Sequence, residues 1–150
     1  MTPHDLTLHI KTFDQLIATE LYAILKLRSE VFVVEQASIY NDPDDKDQVA
    51  YHVWFTQGDN ITAYLRVLPS GVSYPEHAIG RVIAVNRGTG MGKRIMQAGI
   101  AVAQEKYQAT NIRIAAQTHA QGFYEKLGFT PDGEGFELDG IPHVEMLLSL

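Results

Sequence analysis

The sequence predicts an α/β (α+β) fold, a β-sheet with helices packed on both faces, and three observations predict it. Segments with a two-residue apolar period alternate with segments whose apolar residues recur every three to four positions. A turn with glycine at every second position, Gly88, Gly90 and Gly92, lies between a β-branched run and an amphipathic stretch. The 150 residues are 45% apolar and 20% charged, a size and composition that support one core and one domain over residues 1–150.

Leu6, Leu8 and Ile10 alternate with polar neighbours and place a first strand at residues 5–11. Leu21, Ile24, Leu25, Arg28, Val31 and Phe32 follow at helical spacing, with Thr12 or Thr19 as N-cap. Residues 38–48 have no apolar period and are rich in turn formers, so they read as an exposed loop. Residues 50–57 and 61–68 are β-branched and aromatic and flank Gly58-Asp59-Asn60, which predicts a hairpin. A loop over 69–76 precedes a strand at 79–85, which runs into the glycine turn and a helix reaching Tyr107. A buried strand at 112–116, a helix at 120–127 stopped by Gly128, and a last hairpin turning at Asp139-Gly140 complete the chain.

Charge and composition remove several functions. A net charge of −6 is unfavourable for nucleic acid, because a phosphate-backbone binder needs a basic face to gain from counterion release. No run of apolar residues is long enough to predict a membrane span, and the first five residues lack the basic and apolar segments of a secretory leader, so a cytoplasmic protein is expected. The absence of cysteine excludes disulfides and thiolate chemistry. Six scattered histidines with no His-x₃-His pair give no metal motif, and residues 42–47 lack the glycine and final glutamate of a calcium loop. His4, His9 and His77 are expected at the surface.

The glycine turn carries the chemistry. A helix N-terminus presents unpaired N–H groups and a partial positive charge, and glycine lets an anion approach them. Arg87, Lys93 and Arg94 add local positive charge to an acidic chain, which is what a diphosphate requires. No Gly-Lys-Ser/Thr ends the turn, so it is not the nucleotide-triphosphate loop, and three strands precede it where a dinucleotide fingerprint follows the first.

Here the sequence resembles the GNAT superfamily of acyl-CoA-dependent N-acyltransferases. Arg87-Gly88-Thr89-Gly90-Met91-Gly92 looks like that superfamily's Arg/Gln-x-x-Gly-x-Gly/Ala pyrophosphate loop, and Phe123-Tyr124-Glu125-Lys126-Leu127-Gly128-Phe129 resembles its segment after the fifth strand. Leu27-Arg28, residues 31–36, residues 116–120 and Asp139-Gly140-Ile141-Pro142-His143 look like its ElaA-like branch. The resemblance implies a mixed, mostly antiparallel sheet splayed between the fourth and fifth strands to admit a pantetheine arm. It implies acetyl-CoA as co-substrate, an amine of a small molecule or peptide as acceptor, transfer by direct attack, and a homodimer as a common assembly. An acyl-CoA-binding or sensing module without turnover is the alternative. The stretch from Ile83 to Asn86 is shorter than in relatives, which shifts how the helix meets the diphosphate.

Residue roles follow from the same resemblance. Ile83, Ala84 and Val85, the turn residues Arg87, Gly88, Thr89, Gly90, Met91, Gly92 and Lys93, and Gln117, Phe123 and Tyr124 are expected at the cofactor. A backbone N–H of residues 82–85 would polarise the thioester carbonyl. Tyr124, with an ordinary pKa near 10, would protonate the leaving sulfur. Glu35 and His119 are the candidates for taking the proton of the amine, with His52 a further one. Gln36, His52 and His143 are expected near the acceptor. Arg28, Arg66 and Arg81 lie in apolar elements and therefore need a partner, either an acid such as Glu35 or Asp45 or a carboxylate of the acceptor.

Overall fold

The computed structural model describes residues 5–150, so His4 lies outside the described residues. Alternation decides the strands. β1 (Leu6–Thr12), β2 (Tyr51–Gln57), β3 (Asn60–Leu68) and β4 (His77–Ala84) pair antiparallel in chain order. β5 (Asn111–Gln117) runs parallel to β4, and β8 (Ile141–Ser149) returns antiparallel to β5. The short β6 (Thr130–Pro131) and β7 (Phe136–Leu138) both pair with β8.

The two faces of the sheet separate two cores. On one face Val53 and Phe55 of β2 and Ala63, Leu65 and Val67 of β3 meet Ile95, Met96 and Val102 of α2 (Met91–Tyr107). On the other face Trp54 and Tyr64, one residue out of phase, pack with Ile24 of α1 (Ala18–Arg28). Each buried Val, Leu, Ile, Phe or Met among them contributes roughly 1.5–3 kcal/mol by leaving water. α2 sits close to β3 because Gly99 has no side chain, and a Cβ there would lie 2.8 Å from Leu65 Cδ2. α3 (Gln121–Lys126) ends at Leu127, and Gly128, at φ 102°, turns the chain as its position predicted. Among the described residues no helix is long and apolar enough to cross a membrane.

Three local expectations are corrected. Neither Thr12 nor Thr19 caps α1: Thr12 opens a tight turn over Phe13–Gln15, and α1 starts after Ile17, whose N–H donates to Glu20 Oε1 at 3.0 Å. The helix does not keep α geometry to Phe32 but widens into π turns over Ser29–Glu35, which simple three-to-four spacing does not reveal. Residues 38–48 are not a free loop, since Asp42 and Asp47 are only 3% and 5% exposed.

β4 begins at His77, earlier than its apolar run, and carries a bulge. Tyr64 lies opposite Ile83 and Arg66 opposite Gly80, so Leu65 alone faces both Arg81 and Val82. Arg81 adopts φ 55° there. The β4–β5 ladder holds only His77↔Ile112 and Ala78↔Arg113, after which the strands splay apart. Arg113 fastens the joined end through Glu76 at 2.9 Å, Asp132 at 2.7 Å and Glu145 at 3.1 Å. His77 stacks on Tyr107 at 4.9 Å and His9 on Trp54 at 4.9 Å, so both rings are half-buried structural groups.

Candidate functional site

The splay opens a cleft of about 840 Å³ between the end of β4 and the end of β5, directly beside the start of α2. The turn that feeds α2 is built by glycine. Gly88 and Gly90 take φ 77° and 79°, the left-handed region where a side chain is strained. A Cβ at either would meet nothing within 4 Å, which leaves open space above the turn. Gly92 serves differently: a Cβ there would come within 3.3 Å of Phe123 Cζ, so its role is close approach to α3. Thr89 Oγ1 donates to the Asn86 carbonyl at 2.7 Å and holds the turn from inside. The first rung of α2 runs from Arg94 N–H to the Gly90 carbonyl at 3.1 Å, so the amides before it have no acceptor within the helix.

Most of the expected site residues line this one cleft. Ile83, Ala84, Val85, Arg87, Gly88, Gly90, Met91, Gly92 and Lys93 form one wall, and Gln117, His119, Phe123 and Tyr124 form the opposite one. Glu35 and Gln36, from the π turns, and His143, from β8, line the far end together with Arg66 and Arg81. Thr89 supports the turn and does not line the cleft.

Tyr124 packs edge-on against Phe123 at 5.1 Å and Phe129 at 5.9 Å. Burial pushes its hydroxyl up to about 12, above the ordinary value expected from sequence. Among the described residues that hydroxyl has no hydrogen-bond partner, and Tyr124 lines the cleft. Gln36 and Gln117 exchange hydrogen bonds at 3.2 and 3.5 Å, and His119 Nε2 donates to Gln117 Oε1 at 2.7 Å. The helix extension is thereby tied to β5 across the cleft, and a second tie runs from Ser38 Oγ to the Asp139 carbonyl at 2.8 Å. His143 donates from Nδ1 to the Ile141 carbonyl at 2.7 Å and stacks on Phe136, which fixes its ring.

Two expected acceptor residues do not reach the cleft. Arg28 is fully buried, with Nε on Asp42 at 2.7 Å and Nη1 on Asp47 at 2.7 Å. His52 is fully buried between the Tyr64 hydroxyl at 2.7 Å and the Asp47 carbonyl at 3.0 Å, and burial lowers its pKa, so it is a neutral structural ring. Arg66 and Arg81 do line the cleft, yet both are already paired with acids. Arg66 Nη1 reaches Asp44 at 2.8 Å and Asp47 at 2.9 Å, and Arg81 Nε reaches Asp42 at 2.9 Å. The partners are therefore Asp42, Asp44 and Asp47 rather than Glu35 or Asp45. Burial alone would raise Asp44 and Asp47, but the arginine hydrogen bonds and charges outweigh it and hold both below the usual carboxylate range.

These aspartates, with Tyr40 donating to Asp42 Oδ1 at 2.9 Å, are the residues that sequence reasoning missed. The available signal was numerical: three arginines inside apolar elements matched by acids in one loop. Among the described residues no group of three or more histidine, aspartate or glutamate side chains is placed to hold a metal ion.

Comparison with known proteins adds the following. The sequence profile of the acetyltransferase (GNAT) domain matches residues 26–150. The chain is 37% identical to the protein ElaA of Escherichia coli over 137 residues, which is 89% of this chain and 90% of that one. The crystal structure of Escherichia coli ElaA superimposes with a TM-score of 0.90 and 33% identity, over 96% of this chain and 99% of that one. An acyl-CoA N-acyltransferase from Pseudomonas aeruginosa superimposes equally well, with a TM-score of 0.90 and 34% identity over the same shares.

Proposed function

The chain belongs to the GNAT acetyltransferase family and is an acyltransferase, and from that premise we propose that it transfers acetyl from acetyl-CoA to the amine of a small molecule or peptide by direct attack. The observation that carries this reading is the placement of the Gly88–Gly90 turn, with its open face and the free amides of α2, at the mouth of the β4–β5 splay. The residues present fit the co-substrate: the turn amides with Arg87 and Lys93 suit a diphosphate, and the gap between β4 and β5 suits an extended arm. When bound, acetyl-CoA supplies an acyl group activated as a thioester.

The remaining steps belong to the chain's own groups. Among residues 82–85, Val85 N–H is taken by the Thr62 carbonyl at 2.9 Å, so the donors for the polarised carbonyl come from the backbone N–H groups of residues 82–84 on the side of β4 that has lost β5. Tyr124 holds its proton up to about pH 12 and donates it to the departing sulfur. His119, exposed and oriented by Gln117, takes the proton that the amine loses, and Gln117 also faces the arm. The reading takes residues 1–150 as one cytoplasmic domain, able to act alone or as a homodimer.

Calorimetry with coenzyme A tests the carrying observation. One saturable site is expected, and the double variant R87E/K93E should weaken it about tenfold or more without changing the far-ultraviolet spectrum. No saturable heat in the wild type overturns the reading.

A further inference from the structure

From the charge balance of the cleft's far end, we propose that the acceptor is an amine carrying a second positive charge and no carboxylate, a diamine being the simplest case. This rests on the acetyl-transfer reading and names its substrate class. The wall that an amino acid or a peptide C-terminus would need contains Arg66 and Arg81, with Arg28 behind them. All three are matched by Asp42, Asp44 and Asp47, each arginine reaching an aspartate at 2.7–2.9 Å, so the six groups sum to zero charge. Arg66 Nε has no partner, but it is buried without accessible surface, so a carboxylate has no path to it. The other cation on this wall, Lys46, is held by Ser73 Oγ at 2.8 Å.

Against one lysine stand three further carboxylates lining the same end, Glu30, Glu35 and Asp139. Glu30 faces Lys26 at the long separation of 4.0 Å. The side-chain carboxylates of Glu35 and Asp139 have no ion pair among the described residues. They flank the two ties that cross the cleft: Glu35 precedes Gln36, which bonds Gln117, and Asp139 offers its carbonyl to Ser38. The acceptor is thus framed by two segments that each bring a free carboxylate. The same segments bring Phe32, Leu138 and Ile141 to the lining, apolar surface against which methylene groups pack. A carboxylate on the acceptor would meet Glu35 and Asp139 with Lys46, already held by Ser73, as the one cation outside the arginine–aspartate cluster on this wall, whereas an ammonium gains from both acids.

The test compares 1,4-diaminobutane, butylamine and 4-aminobutanoate, equal in length, by thiol release with acetyl-CoA at low and high salt. The diamine should be preferred over butylamine by about fivefold or more in kcat/KM, with 4-aminobutanoate poorest, and the preference should shrink as salt screens it. In E35Q and D139N the diamine-to-butylamine ratio should fall toward one. Butylamine or 4-aminobutanoate performing as well as the diamine overturns the substrate class while leaving acetyl transfer intact. Calorimetric titration of the coenzyme A complex with 1,4-diaminobutane decides the same point without turnover: saturable binding weakened in E35Q supports it, and none overturns it. Coenzyme A binding without thiol release from any amine counts instead against acetyl transfer.

Discussion

Replacing Tyr124 by phenylalanine removes one oxygen atom and keeps the ring contacts to Phe123 and Phe129. If the hydroxyl is the proton donor, kcat should fall roughly 10²-fold while coenzyme A affinity measured by calorimetry stays within about twofold. Unchanged turnover would remove Tyr124 from the chemistry. Its place on the cleft was readable because a short motif, Phe123 to Phe129, carries it, and the raised pKa was not, because it depends on what buries the ring. The same division runs through the other side chains. That Arg28, Arg66 and Arg81 require partners follows from charge in apolar surroundings, but which acids answer them is set by how residues 38–48 fold back, a non-local fact. His52 shows the cost of judging a histidine by type alone: burial between Tyr64 and Asp47 leaves it no solvent, and its Nε2–H is spent on the Asp47 carbonyl.

At the scale of elements, periodicity located the strands and the long helix to within a few residues, because apolar alternation is what builds a half-buried strand. The bulge at Arg81 escaped it. A bulge slips the alternation by one, so that Ile79 and then Val82 and Ala84 face the same core, and the near-continuous apolar run of β4 hides that slip where Arg66 and Gly80 fall out of step with Tyr64 and Ile83. The π turns over Ser29–Glu35 escaped for the same reason, since they change spacing by a fraction of a turn. Gly99 tests the packing of α2 on the sheet. Gly99→Ala would set a methyl 2.8 Å from a fully buried Leu65, and overpacking of this kind should destabilise by about 1–3 kcal/mol despite the gain in helix propensity. A chemical-denaturation midpoint equal to or above that of the wild type would show that Leu65 yields freely.

For the molecule as a whole, the arginine–aspartate cluster joins α1, β3, β4 and the acidic loop, so its loss should be felt globally. Asp47→Asn removes one charge from a pair of buried arginines and should lower unfolding free energy by about 3 kcal/mol. The pH dependence has a definite sign. Asp44 and Asp47 are lowered in the folded state, so their contribution is complete above the unfolded value near pH 4 and is lost as pH falls through the lower folded values. Melting temperature should therefore change little from these groups between about pH 5 and 7 and drop steeply below about pH 4. A wild-type melting curve that is flat down to about pH 2 would show the cluster to be idle. The other global feature, the sheet joined across its middle by two residue pairs, reaches further. The molecule is a folder with a short spine: Arg113 is the stitching, and the bonds from Gln36 and Ser38 act as clasps on the open side. Whatever slides between the covers touches both, and lengthening the Ser38–Asp139 tether would widen what the folder accepts.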